Sequence, residues 1–207
     1  VQVTPSLTAN AGGDKSFCKG DSVVINASGG GNYAWSPSTG LSTASIGNPV
    51  ASPAVTTVYT LTVSSGSCTD VDNITVTVNN LPSVSISDTN FCVNDTVQTL
   101  TGASPAGGTF SGPGVIGSTF NIDSAGPGSH SIIYTYTDTN SCVASDTATY
   151  IVNPLPNVEL AAQSAVCVDA SSFTLSGGAP AGGTFSGTGV SGGMFDPAVA
   201  GVGSHLI

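Results

Sequence analysis

The stretch Leu100–His130 occurs twice in this 207-residue chain, and this repeat limits what the chain can fold into. The segment Ser104–Val115 (SPAGGTFSGPGV) returns 75 residues later as Ala179–Val190 (APAGGTFSGTGV). The same offset carries Cys92 to Cys167, Phe110 to Phe185, Phe120 to Phe195 and His130 to His205. A fixed period of this size predicts an array of similar modules rather than a protein built around one site.

The composition predicts an all-β chain. Only 7% of the residues are charged, whereas Val, Ile, Thr and Tyr occur in short runs broken by Gly, Pro and Asn. The net charge of −10 argues against nucleic acid and anionic membranes as partners, since both attract Lys and Arg. No apolar run approaches the roughly 20 residues of a membrane span, so we expect no membrane insertion.

Five cysteines in a chain of small modules indicate an oxidising compartment. Cys18 and Cys68 are 50 residues apart, and so are Cys92 and Cys142. We interpret these equal spacings as one disulfide per module, Cys18–Cys68 and Cys92–Cys142. Cys167 begins a third pair whose partner would follow Ile207, so it has no partner within this segment. A metal site is the rival interpretation, but the chain has no CxxC motif.

Three modules are predicted, at 1–80, 81–154 and 155–207. The Pro-containing segments Asn79–Pro82 and Asn153–Pro156 are the linkers, and they are too short for neighbouring modules to tumble freely. Each complete module has six or seven short strands and an aromatic residue 17 or 18 positions after its first cysteine. A buried aromatic over a disulfide is the pattern of an immunoglobulin-like sandwich, so we predict such modules with core aromatics Trp35, Phe110 and Phe185.

The third module stops before its last two strands, which predicts an open edge and an apolar groove. Two explanations are open. In the first, the sequence simply stops there. In the second, another chain supplies the strands by β-augmentation, with Val1–Val3 as a donor strand and a filament as the product.

Several motifs resemble a known class of repeats. Module one contains Cys18-Lys-Gly-Asp21, Tyr33–Leu41 (YAWSPSTGL) and Thr56–Val63 (TTVYTLTV). These are similar to the PKD-like and Ig-like repeats of Bacteroidota surface proteins, and modules two and three look like their companion repeats. The resemblance implies export by the type IX secretion system and, for some members, a role as SprB-like gliding-motility adhesins.

Candidate catalytic and metal sites are few. His130 and His205 occupy equivalent positions in two copies, which favours a structural role, and Glu159 has no partner carboxylate in the sequence. We predict no catalytic residue, no enzyme activity and no cofactor. Asp70 and Asp72 lie on one strand face and form a weak candidate Ca²⁺ site. The alternative is a solvated strand face.

Four Asp-Ser/Thr sites followed by a small apolar residue resemble the short O-glycosylation motif of Bacteroidota. We hypothesise that some of them carry O-glycans; the alternatives are turn chemistry and chance in a Ser/Thr-rich chain. The candidate acceptors are Ser22, Thr96, Ser124 and Thr147.

The functional hypothesis is the stalk of a large extracellular or cell-surface adhesin or filament, whose partners are neighbouring repeats of the same polypeptide. Three alternatives remain. One is a module that binds surface glycans or proteins through its loops. Another is an accessory array on a secreted polysaccharide-degrading enzyme, and the last is a filament subunit assembled by strand donation.

Overall fold

A computed structural model describes residues 6–207, so the hypothesis that Val1–Val3 donates a strand lies outside the described residues. The chain divides into two compact units between Val152 and Asn153. The first unit holds two separate hydrophobic cores, one built from residues 9–76 and the other from residues 100–152. The module boundary predicted near residue 80 falls between these cores and stays a prediction.

The first module is a sandwich of two sheets. One sheet has the order β1-β6-β5-β3, and β2 pairs with β4 in the other. Strand β1 runs parallel to β6, whereas the remaining pairs are antiparallel. The strands are β1 (Lys15–Cys18), β2 (Val23–Val24), β3 (Asn32–Ser36), β4 (Val50–Ala51), β5 (Thr57–Ser65) and β6 (Cys68–Asn79).

Strict alternation explains why β5 and β6 form the centre of this module. Tyr59, Leu61 and Val63 of β5 are fully buried, and Thr60 and Thr62 between them face away from the core. Ile74 and Val76 of β6 complete the same buried face. A period of two places every second side chain on one side of a sheet, so this pattern fixes the register of the hairpin.

The second module repeats this plan. One sheet has the order β7-β13-β12-β9 and the other has the order β10-β11-β8. A single helical turn, α1, follows β11, and Asn121 caps it by accepting a hydrogen bond from the Ser124 N–H. The elements are β7 (Thr89–Cys92), β8 (Gln98–Thr99), β9 (Thr109–Ser111), β10 (Val115–Ile116), β11 (Thr119–Phe120), α1 (Ile122–Ala125), β12 (Gly128–Thr137) and β13 (Val143–Asn153).

Phe120 lies at the centre of the second core. Its ring centroid is 5.4 Å from those of both Phe91 and Tyr150, and the contact with Tyr150 is edge-to-face. Ile132 of β12 and Val152 of β13 are also buried there. The long hairpin β12–β13 therefore supplies much of what covers Phe120.

The second unit contains only part of this plan. Its three-stranded sheet β15-β18-β17 is the counterpart of β8-β11-β10. The segments 164–167 and 184–186, which correspond to β7 and β9, are not strands. The elements are β14 (Glu159–Leu160), β15 (Phe173–Thr174), β16 (Gly178–Ala179), β17 (Val190–Ser191), β18 (Met194–Phe195) and α2 (Pro197–Ala200).

The reason lies in the sheet order. In module two, β7 and β9 pair only with the hairpin strands β13 and β12. The counterpart of Ile132 is Ile207, the last residue of the sequence, so the described chain holds no partner for either edge segment. A cavity of about 780 Å³ beside Leu175 and Phe195 lies where the second module places its hairpin.

These features confirm the prediction of an all-β, immunoglobulin-like fold. The prediction of one disulfide inside each module is wrong, as the next section shows.

Candidate functional site: the covalent joint between modules one and two

A disulfide joins the first two modules. It links Cys18, the last residue of β1, to Cys142, which directly precedes β13. The two Cα atoms are 5.5 Å apart, a separation typical of an unstrained bond. The bond closes a loop between residues separated by 124 positions. Chain entropy alone assigns such a closure about 5 kcal/mol of stabilisation.

The predicted bond Cys18–Cys68 is geometrically impossible in this fold. In the parallel register of β1 and β6, Cys18 lies opposite Asn79, whereas Cys68 is the first residue of β6. The eleven residues from Cys68 to Asn79 span about 36 Å of extended strand. A disulfide requires Cα atoms within about 7 Å, so the two cysteines of module one lie at opposite ends of one sheet.

The predicted bond Cys92–Cys142 is wrong for the same reason. Strand β7 pairs with β13, and the Asp88 carboxylate just before β7 accepts a hydrogen bond from the Thr149 N–H. Cys92 ends β7 and therefore lies toward the end of β13. Cys142 lies in the turn before β13 begins, at the other end of the sheet, where it is bonded to Cys18.

The turn that carries Cys142 is fixed by one carboxylate. Asp138 Oδ1 accepts hydrogen bonds from the N–H groups of Asn140 and Cys142, each at 2.8 Å. The Asp138 N–H donates to the Cys142 carbonyl at 2.9 Å, and Ser141 adopts a left-handed conformation with φ of 66°. These bonds hold the buried Cys142 side chain in place for its bond to Cys18.

Cys18 lies in a turn of its own. The Asp21 N–H donates to the Cys18 carbonyl at 2.9 Å, and the Lys19 N–H donates to the Asn79 carbonyl at 2.8 Å. The second contact fixes the turn to the end of β6, directly before the linker. The disulfide therefore bypasses the linker segment Asn79–Pro82 with a covalent bond.

Asp70 and Asp72, the candidate Ca²⁺ ligands, bind the backbone of the chain's first ordered segment. Asp70 Oδ2 accepts from the Ala9 N–H and Asp72 Oδ2 from the Ala11 N–H, each at 2.8 Å. The N–H groups of Ala11 and Asn73 hold the pKa of Asp72 below its usual value. Among residues 6–207, no three potential metal ligands come together. The arrangement fastens the N-terminal segment to β6.

The candidate core aromatics do not pack over a disulfide, because the disulfide lies between modules. Trp35 is 4% exposed, faces Leu61 across β3–β5, and donates its Nε1–H to the Ile46 carbonyl at 2.9 Å. Phe110 is half-buried and faces Tyr134, the counterpart of Tyr59. The repeat registers therefore place Trp35 and Phe110 two residues apart, not at one position. Phe185 is half-buried in the second unit.

Two tyrosines that the sequence analysis did not single out fix loops to the sandwich. The Tyr59 hydroxyl donates to the Thr39 carbonyl at 2.8 Å, and burial raises the pKa of this tyrosine. The Tyr134 hydroxyl donates to the Pro105 carbonyl and accepts from the Gly108 N–H at 2.6 Å. Their shared offset of 75 residues was the available signal.

His130 and His205 make the same contacts in two modules. Each places Nε2 2.9 Å from the carbonyl of a glycine four residues earlier, Gly126 or Gly201. Each ring also packs 6.1 Å from a phenylalanine of its core. This repeated contact fixes the end of the short helix, α1 or α2, to the following segment.

The hypothetical glycosylation sites are all exposed: Ser22, Thr96, Ser124 and Thr147. Ser22 and Thr96 lie in the turns that follow the first cysteine of their modules, Ser124 lies in α1, and Thr147 faces outward on β13. Exposure makes each hydroxyl accessible to a transferase. The described part of the chain has no helix long and apolar enough to cross a membrane.

No protein-family profile matches this sequence, and no curated protein matches it significantly. Solved structures with a similar fold include the titin domains Z1Z2 in complex with telethonin, at 17% identity and a TM-score of 0.31, covering 74% of this chain and 100% of that one. A Ca²⁺-stabilised adhesin with which an Antarctic bacterium binds ice is 12% identical, with a TM-score of 0.38 and coverages of 72% and 48%.

A SusE-like, surface-located polysaccharide-binding protein of Bacteroides thetaiotaomicron is 11% identical, with a TM-score of 0.33 and coverages of 74% and 36%. Because all of these TM-scores lie below 0.5, the fold assignment rests on the strand topology given above. That topology and the joint define the class: tandem, immunoglobulin-like β-sandwich modules with a covalent link between consecutive modules.

Proposed function

We propose that this segment is part of the structural stalk of a large extracellular or cell-surface adhesin, of the type IX-secreted, SprB-like class that its motifs resemble. The observation that carries the proposal is the disulfide Cys18–Cys142, which joins one module to the next. A bond in this position resists separation of the modules and adds no reactive chemistry. That property serves a protein that must transmit force or hold a distal domain away from the cell.

The charge and the surface support the same proposal. The segment carries two Lys and no Arg, so trypsin-like proteases have few cleavage sites. Its disulfide requires an oxidising compartment, which fits an extracellular location. The four exposed Asp-Ser/Thr sites would add O-glycans along the stalk.

The test is to locate the native polypeptide and measure its mass. Antibodies against this segment are expected to label intact, non-permeabilised cells and to detect a band far above 20.2 kDa under denaturing, reducing conditions. Detection only inside lysed cells, or a reduced native chain near 20 kDa, would contradict the stalk. Deletion of the gene is expected to impair surface attachment or gliding.

The alternative functions separate on two observations. Glycan-array binding by the isolated segment would favour a binding module. A catalytic domain in the same native polypeptide would favour an accessory array on a secreted enzyme. Glycosylation is tested separately: intact-mass analysis of the native segment is expected to show hexose-sized additions, which Thr96→Ala and Ser22→Ala would reduce.

A further inference from the structure

We propose a pairing rule for the whole array, in which the first cysteine of each module bonds to the second cysteine of the module that follows it. Cys18–Cys142 is then one link of a repeated series, and Cys92 is the donor of the next link. The inference rests on the proposed function, because it requires a longer native polypeptide. It deepens that function by making the stalk a covalently continuous ladder rather than modules joined by single linkers.

The first cysteines occupy one repeated structural position. Cys18 ends β1 and Cys92 ends β7, and each of these edge strands pairs with the last strand of its own module. Each cysteine carbonyl accepts a hydrogen bond from the N–H three residues on, at 2.9 Å from Asp21 and 3.0 Å from Asp95. In module three, the Cys167 carbonyl accepts from the Ala170 N–H at 3.1 Å. The same turn thus presents the first cysteine in all three modules.

Cys92 is exposed, and its turn is fixed. Its own N–H donates to Asp95 Oδ2 at 2.7 Å, which closes the turn from both sides. A thiol on a rigid, exposed turn at the linker end of a module matches the position of Cys18. Pairing inside module two is excluded, because Cys142 lies at the far end of the same sheet and is already bonded.

The acceptor is a hairpin-turn cysteine. Cys142 lies in the turn between β12 and β13, and Cys68 lies at the corresponding turn between β5 and β6. Ile207 corresponds to Ile132, so the equivalent turn of module three would place its cysteine ten residues after Ile207, as Cys142 is ten residues after Ile132. The rule assigns that cysteine to Cys92 and not to Cys167.

Formation of the link is a two-electron oxidation. The thiols of Cys92 and the acceptor lose two protons and two electrons as the S–S bond forms. A disulfide-exchange donor, such as an extracytoplasmic dithiol oxidase or oxidised glutathione, accepts them and is reduced to two thiols. Exposure of Cys92 makes it accessible to such a donor.

The decisive experiment is a disulfide map of the native polypeptide. The protein is alkylated without reduction, digested with an Asp-specific protease, and analysed by mass spectrometry before and after reduction. We expect the peptide containing Cys92 to be linked to a peptide from the hairpin turn of the next module. An alkylated Cys92, a bond from Cys92 within its own module, or a covalent dimer through Cys92 would each overturn the rule.

A second experiment uses the present chain extended by a copy of residues 133–153 after Ile207. Oxidised with a glutathione redox buffer, this chain should lose alkylation at Cys92, and the appended copy of Cys142 should be linked to Cys92. Cys92→Ser should leave the appended thiol reactive, whereas Cys167→Ser should leave the link intact. A link from the appended cysteine to Cys167 would contradict the rule. Because neither experiment depends on cellular location, a failed rule and a failed stalk hypothesis are distinguishable.

Discussion

Asp72 provides a pH-dependent clamp on the N-terminal segment. Its folded-state pKa is depressed by the N–H donors of Ala11 and Asn73, so its contribution is present above the unfolded pKa of about 3.9 and is lost as pH falls through the lower folded value. We expect the thermal midpoint to fall on acidification below about pH 4, and Asp72→Asn to reduce this slope.

The measurement is thermal unfolding by circular dichroism over a series of pH values. Asp21→Asn makes the same change in net charge at an exposed turn and is the matched control. Equal slopes for the wild type and Asp72→Asn would contradict the role of Asp72.

Tyr59 and Tyr134 predict unequal costs for one chemical change. Tyr59→Phe removes a donor from the Thr39 carbonyl and should cost about 0.5–1.5 kcal/mol. Tyr134→Phe leaves both the Pro105 carbonyl and the Gly108 N–H without their partner, so we expect about 1–3 kcal/mol. Urea unfolding of both variants tests the order, and an equal or smaller cost at Tyr134 would contradict it.

The hairpin β12–β13 decides which edge segments of a module become strands. Gly108 and Gly183 are equivalent in sequence, but a Cβ at Gly108 would lie 2.6 Å from the Tyr134 ring. At Gly183 the nearest atom is the Pro180 carbonyl oxygen, at 3.9 Å. The difference arises because only module two has its hairpin beside this glycine.

We therefore expect Gly108→Ala to destabilise the second module by about 1–3 kcal/mol through overpacking, and Gly183→Ala to be close to neutral in this chain. Denaturant unfolding of the two variants measures this. In the chain extended by residues 133–153, Gly183→Ala should become destabilising, which also reports that the added hairpin has docked. A neutral Gly108→Ala would mean that β9 does not pack on β12 as described.

Across the chain as a whole, the disulfide couples two sandwiches that otherwise have separate cores. Cys18→Ser and Cys142→Ser should each lower stability by up to about 5 kcal/mol, and the double variant should be no worse than either single variant, since all three remove one bond. Cys167→Ser is the control. Thermal unfolding with and without reductant tests this, and reductant should leave the Cys18 and Cys142 variants unchanged.

Much of the fold was predictable from local patterns. Alternating residues in β5, β6, β12 and β13 predicted the strands, and the repeated motif predicted equivalent modules. The repeat of His130 as His205 indicated a structural role, and both side chains do bind a backbone carbonyl.

The disulfide pairing could not be derived from spacing. Two intervals of 50 residues are equally compatible with bonds inside modules and with bonds staggered by one module. What separates these possibilities is the parallel pairing of β1 with β6, which places Cys18 beside Asn79 and far from Cys68. A pairing between strands distant in sequence leaves no mark in the local pattern of either strand.

The sequence by itself determined that this protein is a tandem array of disulfide-containing β-modules, because period and alternation are properties of the chain read in order. Only the tertiary structure decided that Asp70 and Asp72 bind backbone rather than each other's ligand, that Trp35 and Phe110 occupy different positions, and that Cys18 bonds to Cys142. These outcomes depend on which ends of which strands meet in space, and sheet register sets that at distances of 60 to 124 residues along the chain.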